Sequence, residues 1–190
     1  MLFLLKRTWP SALAALAVLV ALGTGLRCLV PAPTPFDFSP VNLAIGVAVF
    51  AAVLASDGFV HGLLLRFGDR YWQRYQELAA VFRGQKTPAM LAGALMAGLG
   101  EELVFRGLST DLIYLMSGAV VFGALHHIRR SIWLFTVWSV WEGMLFAVAL
   151  MLTGSLCVTM TAHFLHDLAG LLVFRHVNRR FNTAHGERGG

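Results

Sequence analysis

The sequence places acidic, basic and imidazole side chains inside long apolar stretches, where a charge is rarely retained without a role. On insertion scales, a charged side chain at the centre of a membrane-spanning helix costs about 2.5–3.5 kcal/mol, so such residues are candidates for function. The candidates are Asp57, His61, Glu101, Glu102, Arg106, His126, His127, Glu142, His163, His166 and Asp167.

Glu101, Glu102 and Arg106 lie closest together along the chain. Glu102 and Arg106 are four residues apart with the acid first, which is the favourable order for an ion pair on one helical face. Glu101 lies about 100° round the helix from Glu102 and points elsewhere. A free carboxylate beside a neutralised one is suited to act as a general base in a dry site. The alternative is a patch of interfacial charge at the end of a short helix.

A second group contains His163, His166 and Asp167. His163 and Asp167 share a helical face at the spacing i, i+4, and a carboxylate in that position can fix the tautomer of the imidazole. His166 follows His163 by three residues and can share the same face. The alternative is a histidine–aspartate pair that only satisfies itself inside a helix bundle.

The remaining acidic residues in the apolar segments are Asp57 and Glu142. Asp57 and His61 show the same i, i+4 spacing, and their position near Arg66 predicts an interfacial pair. Glu142 lies in an aromatic-rich segment and needs a partner, which either Arg106 or a histidine can provide.

The sequence lacks the usual signatures of a covalent nucleophile. No G-x-S-x-G and no H-E-x-x-H is present, and neither Cys28 nor Cys157 has a nearby histidine. What remains is a glutamate base, two histidines and an aspartate. That set can activate water and stabilise an oxyanion, which suffices for amide hydrolysis. Two histidines with a carboxylate can equally bind zinc, so both readings stay open.

The amino-acid composition indicates the kind of protein in which these residues lie. Of the 190 residues, 57% are hydrophobic and 13% are charged, whereas a soluble domain is roughly 45–50% apolar and about 25% charged. This excludes a disordered chain or a typical cytosolic enzyme and predicts an integral membrane protein with the bilayer as a partner. The formal net charge is +5, but the basic residues lie between apolar segments, so nucleic-acid binding is not expected.

The hydropathy pattern predicts one all-α membrane domain over residues 1–190. Six apolar segments are expected as transmembrane helices, with an amphipathic surface helix between the second and third and a flexible basic tail at the end. The six segments are 10–30, 41–65, 88–108, 111–127, 132–152 and 156–174; the amphipathic loop is 66–87 and the tail is 175–190.

The distribution of lysine and arginine predicts the orientation. Basic residues precede the first segment and fill the second and fourth connections and the tail, which places both termini in the cytoplasm. The first segment has no A-x-A cleavage site after it and is interpreted as a retained helix. Straight helices would place Glu101 and His126 at different depths. The fourth segment must therefore be short, or Arg129 and Arg130 must be drawn inward.

Three motifs occur in a fixed order along these segments. Residues 101–106 read E-E-x-x-x-R, residues 122–126 read F-x-x-x-H and residues 163–167 read H-x-x-x-D. Together they resemble the CPBP family, which comprises the CAAX prenyl endopeptidases and their bacterial Abi-type relatives, also called glutamic intramembrane proteases. The resemblance covers residues 88–172 as a catalytic core.

This resemblance implies a role for each motif residue. Glu101 would take a proton from the attacking water, and His126 would hold that water. His163 and Asp167 would face the oxyanion, and Glu102 with Arg106 would support the site. The family motifs select His126 over His127 and His163 over His166. The family has Asn or Asp at the last position, and Asp must be protonated or act through His163 to stabilise an oxyanion.

The expected function is hydrolysis of a peptide bond in a membrane-anchored or lipid-linked peptide, without a cofactor, in a bacterial inner membrane. A zinc-dependent intramembrane protease ranks lower. A membrane transporter and a non-catalytic immunity-type protein are the remaining alternatives, because both also keep charged residues in a bundle.

Overall fold

The computed structural model describes residues 9–30, 33–127 and 130–186. These residues form seven helices and no strand, which confirms the all-α prediction. The helices are α1 (Trp9–Arg27), α2 (Pro40–Leu65), α3 (Asp69–Val81), α4 (Thr87–Phe105), α5 (Leu112–Leu125), α6 (Trp133–Thr153) and α7 (Leu156–Gly186).

Five of these helices, namely α1, α2, α4, α6 and α7, are long and apolar enough to cross a membrane. Helix α5 is apolar but has only 14 residues. At 1.5 Å per residue it is about 21 Å long, less than the roughly 30 Å of a bilayer's hydrocarbon core. The fourth predicted segment is therefore short, which removes the conflict in depth between Glu101 and His126. Lys6, Arg7 and Arg129, which support the predicted orientation, lie outside the described residues.

Local signals in the sequence set several helix ends. Ser39 caps α2 by accepting a hydrogen bond from the Asn42 amide at 3.2 Å, and Pro40 occupies the first turn. Asp111 caps α5 through the Tyr114 amide at 3.0 Å. Helix α6 ends at Gly154, whose φ of 63° is a left-handed conformation that favours glycine.

Helix α3 is the predicted amphipathic helix. Its apolar side packs through Leu78 and Val81 on Phe82, Phe174 and Ile132, and it exposes the Arg74–Glu77 pair. The end of α7 also contacts α3, because the Asn178 side chain donates a hydrogen bond to the Ala79 carbonyl at 2.7 Å. Residues 175–186, assigned from the sequence to the tail, extend α7 as a helix.

Helix α4 lies between α1 and α7 and changes geometry at its centre. Residues Met96–Glu101 form a π-helical stretch immediately before Glu102, and such stretches often occur at functional sites. Small residues allow the neighbouring helices to approach closely here. A Cβ added to Gly98 would lie 2.6 Å from the Cβ of Phe164 in α7, and one added to Gly100 would lie 2.8 Å from that of Leu19 in α1.

We expect Gly98→Ala to destabilise the bundle by about 1–3 kcal/mol, because the added methyl group meets a backbone that cannot move away. The measurement is unfolding of the purified protein in mixed micelles. Gly170→Ala is the matched control, since nothing lies within 4 Å of its added Cβ. An alanine there should leave stability unchanged or raise it by up to about 1 kcal/mol. Equal stability of the two variants would contradict the tight α4–α7 contact.

Candidate active site

The Glu102 carboxylate is the centre of the buried polar network. One of its oxygens, Oε1, accepts hydrogen bonds from the Arg106 guanidinium and from Nδ1 of His163, the latter at 2.7 Å. All three side chains are at most 3% exposed. The predicted i, i+4 pair on α4 is therefore present, and the same carboxylate also joins α4 to α7.

The Arg106 guanidinium also contacts residues of α5 and α6. Its second guanidinium nitrogen donates to the Gly143 carbonyl of α6 at 3.1 Å. The guanidinium carbon lies 5.4 Å from the centroid of the Phe122 ring and 5.6 Å from that of Phe146, within the range of cation–π attraction. The arginine thus links α4, α5 and α6 and keeps its charge paired in an apolar region.

Glu101 faces away from this pair, as its position on the helix predicts. Its carboxylate oxygen Oε2 lies 4.0 Å from Nε2 of His126. The residue is 1% exposed, and this oxygen has no hydrogen-bond partner among the described residues. Burial of a polar atom without a partner is costly, and Oε2 of Glu101 is free to bind a small polar molecule in the cavity.

His126 is oriented by its own helix end. Its Nδ1 donates to the Phe122 carbonyl at 2.7 Å, and a carbonyl can only accept. In the neutral imidazole, Nε2 is then unprotonated on the side that faces Glu101. His127 instead contacts the Thr136 hydroxyl at 3.0 Å and is exposed. Of the two adjacent histidines, it is therefore His126, the one selected by the motif, that faces Glu101.

His163 and Asp167 lie side by side on α7, as their spacing predicts, but a different carboxylate accepts the hydrogen bond of the imidazole. Nε2 of His163 lies 3.6 Å from Oδ1 of Asp167, which is too far for a hydrogen bond. Glu102 holds the other nitrogen, Nδ1, and the ring of His163 stacks on Phe146 with centroids 4.8 Å apart. The helix spacing predicted the pair on α7 but could not show that a carboxylate from α4 lies closer.

A single cavity of about 810 Å³ connects these groups. Glu101, His126, His163 and Asp167 all line it, and most of its wall is apolar. The four predicted catalytic residues therefore share one space between α4, α5 and α7. A concave, mainly apolar pocket with a few converging polar groups is typical of a site that binds a ligand.

The predicted pair of Asp57 and His61 does not form. Oδ2 of Asp57 lies 2.5 Å from Nε2 of His166, and Glu142 reaches the same nitrogen at 3.5 Å through Oε1. The histidine that Glu142 required is therefore His166. Asp57, Glu142 and His166 come from α2, α6 and α7 and line the same cavity. Spacing along one helix could not reveal a cluster formed by three.

His61 belongs to an aromatic contact with the surface helix. Its Nδ1 lies 2.6 Å from the Tyr71 hydroxyl, and its ring centroid lies 4.7 Å from that of Tyr75. Burial is the main cause that raises the pKa of Tyr71 to about 12, so the hydroxyl keeps its proton at neutral pH and can donate. Helix α3 is thereby attached to α2 beside the cavity.

Comparison with known proteins gives the same family as the motifs. A family model described as Type II CAAX prenyl endopeptidase Rce1-like matches residues 83–169. That range includes all three motifs. The Rce1-like segment begins just before α4 and ends within α7, so it contains Glu101, His126, His163 and Asp167.

A curated bacterial protein is also similar to this chain. The chain is 32% identical over 109 residues to an uncharacterized protein of Bacillus subtilis, YpbD. The match covers 56% of this chain and 58% of that protein, so the chain spans somewhat more than half the length of its curated relative. No solved structure matches the chain.

We expect Arg106→Leu to destabilise the protein by about 3–5 kcal/mol, because it leaves the buried Glu102 carboxylate without its guanidinium. Unfolding in mixed micelles measures the loss. Arg74→Leu is the matched control, since the Arg74–Glu77 pair is solvent-exposed and such pairs contribute about 0–1 kcal/mol. Adding Glu102→Gln to Arg106→Leu should restore part of the loss. A loss for Arg106→Leu no larger than the control's would show that Glu102 is not ionised.

Proposed function

We propose that this membrane protein is a glutamic intramembrane endopeptidase in which Glu101 activates water. The observation that carries the proposal is the pair formed by Oε2 of Glu101 and Nε2 of His126, 4.0 Å apart and facing one cavity. The match of residues 83–169 to a model of an endopeptidase family supports the reaction class.

The separation of these two atoms suits a single water molecule. A water about 2.8 Å from each would donate one proton to Glu101 and the other to His126, since both atoms are acceptors. Its oxygen lone pairs would then point into the cavity. Glu101 would act as the general base, and His126 would orient the water.

The reaction balances with these groups alone. Glu101 removes a proton from the water as its oxygen bonds to the carbonyl carbon of the substrate peptide. The tetrahedral intermediate collapses as the C–N bond breaks, and the protonated Glu101 returns the proton to the leaving amine. The products are a carboxylic acid, which keeps the second proton of the water, and a free amine, and Glu101 ends in its initial state.

In the proposed mechanism, His163 stabilises the oxyanion. Its Nδ1 is occupied by Glu102, and its Nε2 faces the cavity and Asp167. A protonated imidazole would donate from Nε2 to the oxyanion while Glu102 and Asp167 balance its charge. In this arrangement Asp167 is a positioning residue that acts through His163. That avoids the need for a protonated Asp167 as a direct donor.

The setting supports a substrate presented by the bilayer. Five helices are long and apolar enough to cross a membrane, and four of them, α2, α4, α6 and α7, line the cavity. We therefore propose a membrane-anchored or lipid-linked peptide as substrate and the cytoplasmic membrane of a bacterium as the location, with both termini in the cytoplasm. The proposed reaction needs no cofactor.

We expect Glu101→Gln to reduce peptide cleavage by at least 10²-fold, because the amide cannot take the proton from water. Purified protein in liposomes with a fluorogenic membrane-anchored peptide provides the measurement. Glu77→Gln makes the same chemical change on the exposed face of α3 and should keep the rate. Full activity in Glu101→Gln would end the proposal, and pH-driven solute flux without cleavage would favour a transporter.

Chelation distinguishes the metal-free mechanism from a zinc protease. If Glu101 and His126 hold only water, dialysis against a strong chelator should leave cleavage within about twofold of the untreated rate. If they hold zinc, cleavage should disappear and return on adding the metal, with loss of that bound metal in Glu101→Gln.

A further inference from the structure

We infer that Asp57, Glu142 and His166 form a binding site for a divalent transition-metal ion, separate from the water pair at Glu101 and His126. The three residues come from three different helices, α2, α6 and α7. One ligand atom from each can lie within 4.8 Å of the other two. This inference concerns binding alone and does not depend on the proposed peptidase activity.

Burial makes the convergence of these side chains informative. Each residue is only 9% exposed, in a bundle whose interior is otherwise mainly apolar. Exposed acidic groups often lie near one another without a function, but bringing two carboxylates together away from water is costly. A fold retains such a cluster when something else compensates its charge.

The two carboxylates of the cluster carry more negative charge than His166 can compensate, and a divalent cation would compensate all of it. The ion pairs that the described residues show for Asp57 and Glu142 are both with His166. A protonated His166 would leave one negative charge in excess, whereas a neutral one would leave two. Two carboxylates and a neutral imidazole around a divalent cation sum to zero, and all three groups are then in their metal-binding state.

The distances are close to those of a metal site. Ligands about 2.1 Å from a tetrahedral zinc lie roughly 3.4 Å from one another, and Nε2 of His166 is 3.5 Å from Oε1 of Glu142. Oδ2 of Asp57 is closer to the histidine, at 2.5 Å, as expected when a proton joins them. A shift of about 1 Å by the Asp57 carboxylate would exchange that proton for a metal ion.

Two unsatisfied atoms support a ligand beyond the protein. Oδ1 of Asp57 and Nδ1 of His166 are both buried and have no hydrogen-bond partner among the described residues. Oδ1 can bind a metal ion when the carboxylate moves. Nδ1 of His166 lies 3.7 Å from Oδ1 of Asp167. Metal-bound histidines usually donate their second nitrogen to a carboxylate, and Asp167 could accept this hydrogen bond after a small movement of its side chain.

The mixture of ligands indicates the class of metal. Imidazole suits zinc and other transition metals, whereas magnesium and calcium prefer sites made of oxygen ligands alone. One nitrogen and two carboxylates therefore favour Zn²⁺ or Mn²⁺, with the adjoining cavity open to solvent ligands. Asp167 lies near both His166 and His163. The ion would therefore lie beside His163, but Glu101 would not be one of its ligands.

Metal binding to the untagged, full-length protein in detergent tests the inference. After chelation and desalting, titration with Zn²⁺ and with Mn²⁺ should give one tight equivalent per chain for at least one ion, with Mg²⁺ and Ca²⁺ far weaker. Elemental analysis after dialysis provides the stoichiometry. Co²⁺ offers a second measurement, because its visible absorption reports the ligand set directly.

Variants assign the bound ion to this cluster. Glu142→Gln and His166→Ala should each lower the affinity at least tenfold, and Asp167→Asn should lower it about 10- to 100-fold through His166. Glu101→Gln should retain the full equivalent even if it is inactive. Glu77→Gln and His176→Ala are matched controls, since the Glu77 side chain is 40% exposed and His176 is exposed, and both should bind normally.

Three results would overturn the inference. The first is no stoichiometric binding of Zn²⁺ or Mn²⁺, which would leave a proton shared by His166 and its two carboxylates. The second is binding that persists in the Glu142→Gln/His166→Ala double variant. The third is binding lost in Glu101→Gln but kept in that double variant, which would place the metal at the water-activating pair.

Discussion

The buried carboxylate of Glu102 is the constraint on which the site depends. A charge this far from water must be compensated, and it is bonded by the Arg106 guanidinium and the His163 imidazole. Arg106 in turn reaches Gly143 and lies between two phenylalanine rings. One electrostatic requirement therefore joins four helices, α4 to α7, and sets the position of the histidine that faces the cavity.

Neutralising Glu102 also gives its neighbour a different environment. Adjacent glutamates on one helix point in different directions, so the cation that satisfies Glu102 does not satisfy Glu101. The π-helical stretch at Met96–Glu101 and the close approach of α1 and α7 hold the second carboxylate in the cavity. One glutamate is thus structural and the other remains available, although the two residues are chemically identical.

The cavity combines two polar clusters with different characters. Around Glu101 and His126 the atoms are 4.0 Å apart and leave room for a small molecule, which suits chemistry on water. Around Asp57, Glu142 and His166 the atoms are closer and carry excess negative charge, which suits a cation. Asp167 lies between the clusters, within 3.7 Å of both His163 and His166, so changes in one can reach the other.

The sequence alone predicted the all-helical fold with long apolar helices and located the motif residues, because apolar length and i, i+4 spacing are local properties. It also predicted the Glu102–Arg106 pair, which lies within one helix. Only the tertiary structure decided that Glu102 rather than Asp167 holds His163, and that Asp57 pairs with His166 rather than His61. Those partners lie on different helices, and spacing along a chain carries no information about which faces of separate helices meet.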